Sequence, residues 1–284
     1  MSPCASSARE NPPGSSAKED FHKAVVVDLV EYREQRRERH FWESARIRFV
    51  EFVLKRYITE ELSAADIGSG DCYAISRLMK EFSFRHVWAK DPYWKEPLLS
   101  QLKEKYPGIA FDNLSEGDDL SSMPGSDICF MLDVLEHIEH DREFLAALNR
   151  KLNQDGLLMI TVPAYNFLFS EHDVFLKHFR RYNRTELCGK LSDASFNTID
   201  SGYFFFSLVL IRLLQKLFHV KDGNKVGKGG PSMLNSLFAG ILYCDARICY
   251  LLHRIGIVLP GLSCWAIAVK KRPAEIEPET GRHE

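Results

Sequence analysis

Ala64-Ala65-Asp66-Ile67-Gly68-Ser69-Gly70-Asp71 is the stretch on which the fold turns. A short apolar run ends in an acid, two glycines stand one residue apart, and a helical pattern follows. That order predicts a strand, a tight turn and a helix N-terminus. Glycines carry no Cβ, so a ligand can approach the backbone, and the first turn of a helix offers unpaired N–H groups. A second acid, Asp91, ends the next predicted strand, His86 to Lys90. A carboxylate one strand–helix–strand step after a glycine turn is placed to hold ribose hydroxyls. Together the two acids and the turn predict a nucleoside-cofactor site. The dinucleotide fingerprint G-x-G-x-x-G is incomplete, because Tyr73 stands in its third glycine position.

Outward from this turn, short apolar runs alternate with helical patterns. Strands are predicted at Ala64–Ile67, His86–Lys90, Ile109–Phe111, Ile128–Leu132, Leu157–Val162, Asn197–Tyr203 and Ser263–Val269. Helices are predicted at Cys72–Phe82, Pro97–Tyr106, Asp141–Leu152 and Thr185–Leu191, with the Asp155-Gly156 turn ahead of the fifth strand. Alternation of this kind implies βαβ units, and unbroken apolar runs suit strands covered on both faces. The expected fold is α/β: a seven-stranded, mostly parallel Rossmann-like sheet with an antiparallel last strand. Two apolar helices, Phe204–Val220 and Met233–His253, replace the short hairpin expected before that strand. The chain divides into a tail at 1–20, a helical cap at 21–60, a main domain at 61–271 with its insertion at about 204–254, and a second tail at 272–284.

Composition narrows the function. The net charge of −2 provides no basic face for nucleic acid. The seven cysteines form no C-x-x-C pair, which argues against a zinc site or a disulfide framework and suits a cytoplasmic enzyme. The tail at 1–20 lacks the apolar core of a signal peptide. No run reaches the ~20 apolar residues of a membrane span.

Four segments carry a resemblance: Asp66-Ile67-Gly68-Ser69-Gly70, Asp91, Asp133-Val134-Leu135-Glu136-His137-Ile138, and the run Asp155-Gly156-Leu157-Leu158-Met159-Ile160-Thr161-Val162-Pro163. They resemble the class I S-adenosylmethionine-dependent methyltransferases, in particular their small-molecule, ubiquinone-methyltransferase-like branch. His40-Phe41-Trp42 with Arg46 is similar to a feature of related bacterial members. In that family's first motif a third glycine stands where this chain has Cys72. The resemblance implies S-adenosyl-L-methionine as cofactor. Asp66, Gly68 and Gly70 would face its methionine half, Asp91 its ribose, Asp119 and Leu120 its adenine, and Asp133 the mouth of the site. Asp112, which directly follows the third strand, rivals Asp119.

Methyl transfer to a hydroxyl or an acidic carbon benefits from a base. His137 is one candidate, and His172 and His178 in the polar loop after the fifth strand are others. That loop, Tyr165 to Tyr182, also holds Arg181; Tyr165, Arg181 and Tyr182 are the candidate acceptor contacts. His137 and His140 form an H-x-x-H pair without further evident ligands, so no metal is expected. The acceptor is expected to be a small molecule, a lipid-like, isoprenoid, polyketide or sugar intermediate. The insertion predicts extra core, a roof over the acceptor, a dimer face or a peripheral membrane contact. Two other readings stand beside methyl transfer: a non-catalytic cofactor-binding scaffold, and a nicotinamide-dependent dehydrogenase.

Overall fold

A computed structural model describes residues 39–112, 120–217 and 232–272. The two predicted tails (except 272), the cap before 39, Asp119 and the stretch joining the insertion's helices lie outside them. Helix α1 (Phe41–Leu54) precedes the alternating units. These run β1 (Leu62–Ile67), α2 (Tyr73–Glu81), β2 (Phe84–Lys90), α3 (Leu98–Lys105), β3 (Ile109–Asp112), β4 (Ser126–Leu132), α4 (Asp141–Lys151) and β5 (Leu152–Pro163). After β5 come α5 (Glu171–Phe175), α6 (Arg184–Asp193), β6 (Phe196–Phe204), α7 (Phe206–Leu217), α8 (Ser232–Arg254) and β7 (Ser263–Lys270).

The strands form one seven-stranded sheet in the order β3-β2-β1-β4-β5-β7-β6. β7 runs antiparallel to both its neighbours, while the other pairs are parallel. Successive residues of a strand point to opposite faces, and both faces are covered. Phe130, Met159, Trp265 and Ile267 face a core built with α1, α2, α3 and α8. Cys129, Met131, Leu158, Ile160 and Ala266 face a second core built with α4 and α6. This is why the strand sequences read as unbroken apolar runs rather than alternating ones.

The chain order reverses between β1 and β4. In open α/β sheets the crevice at such a point, outside the carboxyl ends of the strands, takes the ligand. The insertion does replace the β6–β7 hairpin. Its helix α8 packs on the sheet through Leu242, Ala246 and Tyr250. Phe49 of α1 stacks on Phe204 at 4.9 Å and meets Trp265 edge-on at 5.8 Å, which binds the cap to the insertion's root.

One boundary differs from expectation. Asp155-Gly156 is no turn ahead of the strand: β5 begins at Leu152 directly after α4 and passes through both residues. Asp155 takes a φ of 59° there, and the pairing with β4 jumps between Ser126↔Leu152 and Ile128↔Leu157. The Asp-Gly signal thus marks a bulge inside a strand.

Gly68 has a φ of 71°, and a Cβ built on it would overlap Val134 Cγ2. Gly68→Ala is therefore expected to destabilise the fold by about 2 kcal/mol or more, through left-handed strain and the overlap with a stiff valine. Urea denaturation measures this; a loss under about 0.5 kcal/mol, the range of neutral surface changes, would contradict it.

Candidate functional site

The turn after β1 is locked to the end of β2. The Lys90 carbonyl accepts the N–H groups of Gly68 (2.8 Å) and Ser69 (3.1 Å). Asp91, the next residue, accepts the Gly70 N–H at 2.9 Å and the Tyr93 N–H at 2.9 Å. Trp94 donates its indole N–H to the Gly70 carbonyl at 2.6 Å. Both backbone groups of Gly70 are thus held by the β2 loop. Gly70 has a φ of 54°, and the position a Cβ would take is open space. A Cβ on Gly68 would thus run into Val134, while one on Gly70 would meet nothing.

Cys72, at the family's third glycine position, has a φ of 62° just before α2. The backbone there is left-handed, which favours glycine and costs other residues about 1 kcal/mol. Its thiol is fully buried, and burial pushes its pKa up to about 12. The cysteine keeps the turn's shape at some strain.

Asp66 is buried and accepts the Ser69 hydroxyl at 2.5 Å. Burial raises its pKa to about 7; the Ser69 bond opposes this, and the Asp91 charge adds to it. Asp91 is only partly exposed. The surrounding protein raises its pKa, and the N–H groups of Tyr93 and Gly70 pull it back.

Asp133 follows β4 with a φ of 59°. Its backbone N–H donates to the Thr161 carbonyl at 2.9 Å, and Thr161 Oγ1 donates to its carboxylate at 2.8 Å. The other carboxylate oxygen takes a hydrogen bond from Arg46 of α1. Arg39, just before α1, pairs with Asp71 and Glu43 and lies 3.8 Å from the centre of the Tyr73 ring. Arg39, Arg46, Asp66, Gly68, Gly70 and Asp71 line one cavity of about 140 Å³. That is below the roughly 300–1,000 Å³ usual for small-molecule sites. Two arginines from the N-terminal segment reach carboxylates across it. Arg39 and Trp94 carried no motif that would mark them; only folding brings them here.

Of the residues expected to meet adenine, Asp112 is buried and accepts the Ser122 hydroxyl at 2.5 Å. Leu120 is a core residue packed with Trp88 and Met123. Asp119 lies outside the described residues.

The acceptor-side residues divide sharply. Tyr182 is buried and donates its hydroxyl to Asp141 at 2.9 Å. Asp141 also takes Lys190 (2.8 Å) and Arg180 (2.7 Å), so Tyr182 belongs to an internal network rather than a substrate surface. Arg181 grips Asp173 with two bonds of 2.8 and 3.0 Å, which makes it a support and not a free contact. Tyr165 is half-buried and stacks on Tyr203 at 5.1 Å. His172 sits in α5.

The other two histidine candidates meet. The His137 and His178 rings are edge-to-face at 4.6 Å. His178 Nδ1 lies 2.8 Å from the buried Asp173 carboxylate. Burial alone would raise the pKa of Asp173, but bonds from His178, Arg181 and the Ser170 N–H hold it well below the carboxylate range. Much of His137 is exposed, yet the protein packed around its ring disfavours the cation. With His178 beside it, the His137 pKa falls to about 4.

No family model matches this chain, and no curated protein matches its sequence. Solved structures do match its shape. The 1,6-didemethyltoxoflavin-N1-methyltransferase of Burkholderia thailandensis, solved with its substrate and S-adenosylhomocysteine, aligns with TM-score 0.55 at 14% identity over 93% of this chain and 94% of its own. The [4+2]-cyclase SpnF aligns with TM-score 0.55 at 13% identity, covering 90% and 96%. An S-adenosylmethionine-dependent methyltransferase of Mesorhizobium loti gives TM-score 0.50 at 12% identity, covering 77% and 96%. The chain has the fold of the class I S-adenosylmethionine-dependent methyltransferases. At these identities the likeness concerns the fold alone.

Proposed function

We propose that the chain transfers a methyl group from S-adenosyl-L-methionine to a small-molecule acceptor. The observation that carries this reading is the clamped Gly70 turn, open to the crevice and flanked by Asp91 and the buried Asp66. The groups suit that cofactor. Gly70 leaves room for close approach, the Asp91 carboxylate retains acceptor capacity for ribose hydroxyls, and Asp66 is a buried acid whose charge Arg46 offsets only in part. Arg39 and Arg46 offer guanidinium groups to a carboxylate. When bound, the cofactor supplies a methyl group already activated on a sulfonium. The protein's work is then to orient the acceptor and exclude water. Asp133, at the crevice, has its conformation fixed by Thr161 and Arg46.

The pKa of Asp66 gives a test. The free protein holds this acid half-protonated near pH 7, and a cationic ligand favours its ionised form. Cofactor affinity is therefore expected to rise with pH and level off above the pKa of about 7. Binding at pH 6 should be roughly tenfold weaker than at pH 8, with proton release on binding near neutrality. Calorimetric titration measures both. Absence of S-adenosylmethionine binding by the folded protein would overturn the reading.

The acceptor is proposed to be lipid-like, taken from an anionic lipid surface on which the insertion rests. Among the described residues no helix is long and apolar enough to cross a membrane. Yet α8 exposes Leu237, Ile241, Ile248 and Leu251 along one stripe, continued by Ile255 just past its end, and α7 exposes Leu210, Ile211, Leu213 and Leu214. Residues 206–258 carry Arg212, Lys216, Lys221, Lys225, Lys228, Arg247 and Arg254 against only Asp222 and Asp245. An apolar stripe in a segment of net basic sequence suits an anionic interface and disfavours pairing with a second copy. The roots of the insertion lie at the catalytic edge of the sheet, where the Leu262 carbonyl accepts the Ala164 N–H at 2.8 Å. Flotation with phosphatidylglycerol vesicles should carry the protein at low salt, and Ile241→Glu with Ile248→Glu should abolish this. A dimer in solution that these changes dissociate, with no vesicle binding, would contradict it.

A further inference from the structure

The geometry points to a divalent metal site formed by Glu136, His137 and His178, beside the proposed methyl-transfer crevice. One ligand atom from each residue lies within 4.8 Å of the others. His137 had no evident third ligand along the chain. The loop after β5 supplies it, since the Glu136 carbonyl accepts the Phe179 N–H at 2.8 Å and so fixes the loop here.

Three separate observations mark this as a built site. Glu136 is 1% exposed, and its Oε2 has no hydrogen-bond partner. A buried carboxylate oxygen left without a partner is costly, and a bound cation removes that cost. Both histidines, in addition, are oriented through their second ring nitrogens. His178 Nδ1 meets Asp173, itself held by Arg181, and the His137 ring donates to the Leu176 carbonyl. A histidine whose far nitrogen is held by a carboxylate or a carbonyl is the usual arrangement around a bound metal. Finally, two imidazoles and one carboxylate with open positions form a donor set suited to zinc or iron(II).

The site's position defines an acceptor class. Glu136 and His137 lie in the turn after β4, three and four residues beyond Asp133, at the carboxyl edge of the sheet where such folds take their ligands. Resting on the methyl-transfer reading, the inference is that the acceptor atom is a hydroxyl oxygen. The cation lowers the hydroxyl's pKa and its proton leaves to water. That oxygen then takes the methyl, while the S–CH₃ electron pair stays on sulfur to leave a neutral thioether.

The test uses the full chain freed of metal with a chelator and titrated with Co²⁺. Visible absorption reports coordination, and Zn²⁺ should displace the signal. One equivalent is expected to bind, weakened at least 100-fold by His178→Ala and by the surface-accessible His137→Ala. Asp173→Asn should weaken binding about 10- to 100-fold by releasing His178, whereas His140→Ala should leave it unchanged. S-adenosylmethionine affinity, read separately, should survive His137→Ala. Co²⁺ binding without cofactor binding would sink the methyl-transfer reading and leave the metal site standing. A folded protein that gives no cobalt spectrum, or one whose spectrum is untouched by both histidine changes, would overturn the metal site.

Discussion

The grip of the β2 loop on Gly70 is the interaction on which the rest depends. Asp91 and Trp94 take the glycine's N–H and C=O, and Lys90 takes the two amides before it. These bonds hold the β1 turn against the β2 loop at the carboxyl edge of the sheet. The parallel register makes them possible, because Ile67 pairs with Lys90 and the two strands end level. A one-residue slip would turn Asp66 from its core face to the other. The bare backbone of Gly70, the Asp91 carboxylate beside it and the buried Asp66 all follow from that alignment.

Electrostatics at the crevice are unbalanced in a way that invites a cation. Asp66 and Asp91 lie close enough to raise the Asp66 pKa, and Arg46 only partly offsets them. Arg46 and Arg39 are meanwhile engaged by Asp133 and Asp71. A zwitterionic, sulfonium-bearing ligand could satisfy both sets at once, with its cation toward the acids and its carboxylate toward the arginines. The fold alone does not decide this, since a cyclase shares it. The decision lies with the side chains of the crevice.

Much of the fold was legible because both faces of the sheet are covered, so each strand appears as a compact apolar run between turn residues. The Asp155-Gly156 signal misled because a bulge and a turn make the same demand for left-handed backbone. Asp66, Gly70 and Asp91 could be read together because their spacing follows the βαβ step, whereas Asp133 entered only through the family resemblance. Gly68 and Gly70 looked alike in sequence, and only packing separates them: a Cβ on Gly68 would overlap Val134, while one on Gly70 would meet open space. Tyr182 and Arg181, expected as acceptor contacts, pair internally with Asp141 and Asp173, and a polar loop looks the same in sequence whether its side chains face outward or pair internally. Arg39, Trp94 and the meeting of His137 with His178 depend on approaches between distant segments, for which local pattern holds no signal.

The most direct measurement is a crystal structure of the chain with S-adenosylhomocysteine. The account predicts the ribose against Asp91, the ligand's backbone contact at Gly70, and Arg46 drawn from Asp133 toward the ligand carboxylate. A ligand bound elsewhere, or a β1–β4 crevice still closed by Arg39 and Arg46 at saturating ligand, would contradict it.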